Sequence, residues 1–169
     1  LFASVTLHVN VKDGGGQNLD GALVYALVFT NNGPDATNSR VGVTVNGDVD
    51  LSLADGLNYE IYPTKDGYTP TIRNQFDSPD PALHHHVTAS GTLAPLNLVL
   101  NSSGTVKGTV TATVTNATHD SVVFGQVFNA ANREDVAMGA CQTDSSGDCT
   151  LTIVNVPAAA ANTYRVGAH

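Results

Sequence analysis

Two cysteines, Cys141 and Cys149, flank the short polar stretch Asp144-Ser145-Ser146-Gly147. Thiols at this spacing have three possible fates. They close a disulfide if the local register brings the sulfurs together, which implies an oxidising compartment. They remain two small buried thiols. Or they supply half of a zinc site, which needs two further ligands, and none stands nearby. The closed loop is short, so a disulfide would contribute on the order of 2–3 kcal/mol. The disulfide is the expectation.

His84-His85-His86 is the other concentration of reactive side chains. In extended backbone His84 and His86 share a face, with Asp77 and Asp80 upstream, and neutral imidazoles so placed bind zinc or copper. A solvated loop is the preferred reading of the triplet, and no metal or other cofactor is expected. Asp144, Ser146 and Asp148, and the stretch 13–20, are oxygen-rich enough for calcium. Neither follows the EF-hand loop, and turn chemistry accounts for each residue. No Gly-x-Ser-x-Gly elbow, His-Glu-x-x-His helix or phosphate loop occurs. Glu60 and Glu134 are the only glutamates, a thin supply for a glycosidase. An enzyme is not expected. An internal Lys–Asn cross-link would need a buried lysine, and Lys12 sits on the polar parity of its strand. Asn101-Ser102-Ser103 and Asn116-Ala117-Thr118 are sequons in linker or turn segments, where an attached glycan could project.

The elements that would carry these residues are strands. Nineteen Thr and sixteen Gly stand against three Lys, two Glu and one Met, a balance that suits pleated surfaces and turns rather than helices. With 169 residues the chain can bury a real core. Its mean hydropathy of −0.02 is too high for a disordered chain. No apolar run reaches the roughly 18 residues of a membrane-spanning helix. The net charge is −8, so no basic patch exists for nucleic acid.

Val5, Leu7, Val9 and Val11 alternate with polar residues, the mark of a half-buried strand. Residues 22–29 are apolar on both faces and read as a covered strand. Val41, Val43 and Val45, then Asn46-Gly47-Asp48, then Val49, Leu51 and Leu53 read as a hairpin turned by Asn-Gly. A strand at 58–62 ends at Pro63, 66–95 is loop-rich, and Leu96, Leu98 and Leu100 alternate once more. The order then repeats about 99 to 105 residues on, in 110–114, 121–128, 139–153 and 163–166. In this alignment Cys141 and Cys149 fall on Val41 and Val49, taken as inward positions of one hairpin. The expectation is two tandem β-sandwich domains, 1–101 and 102–169, the second apparently lacking its last strand.

Thr143-Asp144-Ser145-Ser146-Gly147, followed by Leu151, Ile153, Tyr164 and Val166, resembles the hairpin and Tyr-x-Val strand of carboxypeptidase regulatory-like domains. Gly56-Leu57-Asn58-Tyr59-Glu60-Ile61 and Gly67-Tyr68-Thr69-Pro70 resemble another segment of that family. The resemblance implies an all-β, Ig-like or transthyretin-like (prealbumin-like) sandwich in secreted or surface proteins, used as a spacer, an adhesin stalk or a carbohydrate-associated module. It carries no catalytic residue to transfer. The expected function is therefore a non-catalytic, extracellular or cell-surface structural protein, a filament protomer or stalk segment. Its partners are copies of itself, joined head to tail by strand addition, with the opening segment Leu1, Phe2, Val5, Leu7 and Val9 as the candidate donor. Two other readings stand beside it: a carbohydrate-binding or adhesive module, which the absence of Trp weakens, and an accessory domain of a larger secreted enzyme.

Overall fold

A computed structural model describes residues 3–69, 85–104 and 106–169. In chain order the strands are β1 (Ser4–Asp13), β2 (Leu23–Leu27), β3 (Phe29–Thr30), β4 (Gly33–Pro34), β5 (Arg40–Val43), β6 (Asp48–Ala54) and β7 (Asn58–Thr64). They continue with β8 (His85–Thr88), β9 (Leu96–Leu100), β10 (Val110–Val114), β11 (Val122–Asn129), β12 (Asp135–Gln142), β13 (Cys149–Ile153) and β14 (Tyr164–Ala168). The fold is all-β, and no described residue is helical.

Two sandwiches follow one another. The first faces a β6-β1-β9 sheet with a β5-β2-β7-β8 sheet, and the second faces a β10-β13 ribbon with a β12-β11-β14 sheet. The alternation at Leu7, Val9 and Val11 aims β1 inward, where it meets Leu51 and Leu53 of β6 and Leu98 and Leu100 of β9. Val24 and Ala26 of β2 close that core from the opposite sheet. The other face of β2 is also covered: Leu23, Tyr25 and Leu27 pack with Val122, Phe124 and Ala140 of the second sandwich. This is why 22–29 has no polar alternation. A third core lies inside the second sandwich, around Val123, Val127, Leu151 and Ile153.

The two expected hairpins are corrected. Asn46 (φ 54°) and Gly47 (φ 85°) do form a tight turn, with Val45 and Asp48 exchanging N–H···O bonds of 2.9 and 3.0 Å. Beyond it the strands part, β5 to pair with β2 and β6 to pair with β1. The segment is an arch between facing sheets. The same holds at 142–149, where β12 joins β11 and β13 joins β10. Apolar alternation on both sides of a turn is the same whether the strands lie side by side or face each other across a core, so periodicity could not separate the two. Within 66–95 the structure adds β8, antiparallel to β7 with His86 opposite Glu60.

Candidate functional site

The two sandwiches share one plan, and the second is less complete. β1 is bonded on both edges, antiparallel to β6 and parallel to β9. β10, its counterpart, pairs with β13 alone among the described residues. The consequence shows in burial. Leu7, Val9 and Val11 are 1%, 0% and 0% exposed, whereas Val110, Ala112 and Val114 are only half-buried. In the first sandwich Leu98 and Leu100 of β9 cover the seam. Each such side chain contributes about 1.5–3 kcal/mol when fully buried, so two leucines are a sizeable share of the roughly 5–15 kcal/mol that holds a domain together. β14 likewise lacks a counterpart of β8 among the described residues. The edge of β10 offers backbone N–H and C=O groups beside an apolar seam, the chemistry that accepts another strand.

The arch that seats β13 is built twice. Thr44 Oγ1 accepts the Ala22 N–H at 2.9 Å and donates to the Leu19 carbonyl at 2.6 Å. Thr143 Oγ1 accepts the Ser121 N–H at 3.0 Å and donates to the Thr118 carbonyl at 2.6 Å. Each pair of equivalents is 99 residues apart, and both threonines are buried. That register corrects the alignment by one residue: Cys141 matches Gly42, not Val41. Gly42 lies opposite Val24 and faces the core, whereas Val41 lies opposite Tyr25 and packs in the cluster between the sandwiches. A Cβ on Gly42 would come within 2.6 Å of Val49 Cγ2. Val49 therefore leans into space that Gly42 leaves open, and at the matching place in the second sandwich Cys141 and Cys149 are disulfide-bonded, with Cα atoms 6.0 Å apart. The bond ties one sheet to the other, not two neighbours of one hairpin.

The sandwiches are fixed to each other by more than apolar packing. Asp66 Oδ1 accepts the N–H groups of Gly108 and Asn155, each at 3.2 Å. Asn155 returns the contact, its Oδ1 accepting the Gly67 N–H at 3.1 Å. Val41 donates its N–H to Gln142 Oε1 at 3.1 Å, and Val122 donates to the Ala36 carbonyl at 2.8 Å. Burial raises the Tyr25 hydroxyl pKa above its ordinary value, partly opposed by its contact with the Ala140 backbone. Burial and the Glu60 carboxylate both push the Tyr62 hydroxyl up.

The other sequence-derived candidates fall as follows. Val5, Leu7 and Val9 belong to β1, the middle strand of its own sheet. Both edges of β1 are engaged within the chain; Leu1 and Phe2 lie outside the described residues. His84, Asp77 and Asp80 also lie outside them. His86 Nδ1 is 3.9 Å from Glu60 Oε1. Among the described residues no group of three His, Cys, Asp or Glu could hold a metal. Asp144 spends its Oδ1 on the N–H groups of Ser146 and Asp148, at 2.8 and 3.1 Å. Those backbone bonds, Asp148 first, hold its pKa below the ordinary carboxylate value. Asp13 Oδ1 caps the N–H groups of Gly15 and Gln17 in the same way. Lys12 is exposed, as are the sequon residues Asn101 and Asn116. Tyr25, Tyr59 and Tyr62 are fully buried. Sequence reasoning passed over Thr44, Asp66 and Asn155, and named Thr143 only as part of a turn motif. The 99-residue spacing of the two threonines within the repeat was the available signal; for Asp66 and Asn155 there was none.

No family model matches the chain, and no curated protein matches it. Among solved structures it is similar to a streptococcal ancillary pilin, at 10% identity over 99% of this chain and 59% of that one, with a TM-score of 0.44. It is similar to the Bacillus anthracis TIE protein at 16% identity over 99% of this chain and 31% of that one, with a TM-score of 0.39. A DUF3823 family protein from Bacteroides uniformis is similar at 11% identity over 98% of this chain and 89% of that one, with a TM-score of 0.46. The chain thus spans less than two thirds of the length of the first two.

Proposed function

We propose that this chain is a non-catalytic structural subunit of an extracellular filament or surface stalk, with two domains, 1–101 and 102–169. Its subunits join head to tail when a strand from a neighbouring copy completes the β10 edge. The observation that carries the reading is the contrast between β1, whose Leu7, Val9 and Val11 are 1% exposed or less, and β10, whose Val110, Ala112 and Val114 are half-buried. A heterologous contact whose rotation does not close on itself propagates as a fibre. The pairing of β1 with both β6 and β9 favours a donor other than the β1 segment. The joint between the domains suits a load-bearing part, because polar clamps and an apolar cluster hold it together. The disulfide supports an extracellular or cell-surface location. Asn101 and Asn116 are exposed positions for glycans. The carbohydrate-binding alternative is weakened by the burial of three of the five tyrosines, which leaves little aromatic surface for a sugar face. Negative-stain microscopy of native material tests the proposal: fibres are expected, and discrete particles at every concentration would reject it.

A further inference from the structure

The β10–β13 ribbon is held at its two ends by different means. At one end Gly108 and Asn155 are bonded to Asp66 of the first sandwich, and Val156 donates its N–H to the Gly108 carbonyl at 2.9 Å. At the other end Cys149, opposite Val114, is covalently joined to Cys141 of β12. Between these ends Leu151 and Ile153 sit on Gly125 and Gly139, whose missing side chains let the sheets approach; a Cβ on Gly125 would come within 2.2 Å of Leu151 Cδ2. The first sandwich has no covalent bond at the matching place, only Val49 against Gly42, but its sheet has a third strand to hold it down.

We propose that the Cys141–Cys149 bond is a redox latch. It replaces the holding power of the third strand, and reducing it frees the ribbon to open about the Gly108–Asn155 end while the first sandwich stays closed. Both cysteines line a groove of about 390 Å³ between the sandwiches, with Leu23, Val41, Thr150 and Thr152. The half-buried Cys149 is the more open of the two. The reductant is a small dithiol. One thiolate attacks Cys149 Sγ, the S–S bond breaks, and Cys141 leaves as a thiolate that takes a proton. The second thiol of the reagent then displaces Cys149, giving two protein thiols and one oxidised dithiol, a two-electron exchange.

Amide hydrogen exchange on the intact chain, read by mass spectrometry with and without dithiothreitol, tests the latch. Complete reduction is verified by the gain of two hydrogens. Exchange in 110–114 and 149–153 is expected to rise at least about tenfold, with 4–13 and 48–64 unchanged. The double variant Cys141→Gly with Cys149→Val, which reproduces the contact of the first sandwich without its third strand, is expected to behave like the reduced chain. Unchanged exchange in the ribbon of fully reduced protein would overturn the proposal. So would an equal rise in both sandwiches, because the bond would then be a general stabiliser. This test does not depend on whether the chain forms filaments.

Discussion

Tyr59 is fully buried, and its hydroxyl accepts the Ala54 N–H and donates to the Asn38 carbonyl, both at 2.9 Å. Tyr59→Phe leaves both backbone groups unpaired, so denaturant unfolding should show a loss of about 1–3 kcal/mol. On the outer face, His8 lies between Asp50 at 2.7 Å and Asp48 at 3.3 Å. The hydrogen bond to Asp50 is the main cause of a His8 pKa above its ordinary 6.5. A raised pKa means the contact favours the fold fully below pH 6.5, and this contribution is lost as pH rises through the higher folded value. Asp50→Asn should lower the His8 pKa in a proton NMR titration of the imidazole, and an unmoved midpoint would contradict the pairing. The sequence showed the inward row of β1 plainly, because its other row is polar. It hid the inward row of β5: Val41 packs in the cluster between the sandwiches and Val43 on the same face is apolar although 52% exposed, so the alternation pointed to the wrong face and Gly42 was passed over as the core position.

At the level of elements, what periodicity could not say is whether strands flanking a turn pair or face each other. The structure resolves this with small residues where the sheets come closest. Gly125 and Gly139 lie opposite one another on β11 and β12, under Leu151 and Ile153 of β13. Gly125→Ala should therefore overpack the second core and cost about 1–3 kcal/mol, while secondary structure by circular dichroism stays the same. β8 was unreadable for a different reason. His85-His86-Val87-Thr88 has one apolar residue, and its extended form comes from pairing with β7 rather than from its own pattern. By contrast the Asn46-Gly47 turn was legible, since a tight turn with two positive φ values selects those residue types.

For the whole molecule, the joint between the sandwiches was not legible in any motif, since Asp66 and Asn155 lie 89 residues apart and look like ordinary turn residues. Asn155 holds a φ of 59° and bonds to the first sandwich through both its backbone and its side chain. Asn155→Ala removes the side-chain bonds and strains the backbone, and should cost about 1–3 kcal/mol. In hydrogen exchange the Gly67 amide should lose protection while β1 and β6 keep theirs. The central claim concerns the other side of the second sandwich, where β10 has no neighbour but β13 among the described residues. Cryo-electron microscopy of native material, at a resolution that separates strands, reads that edge directly. The account predicts an added strand against β10, supplied by a neighbouring copy and covering Val110, Ala112 and Val114. An edge open to water, or a strand continuous with the same chain, would contradict it.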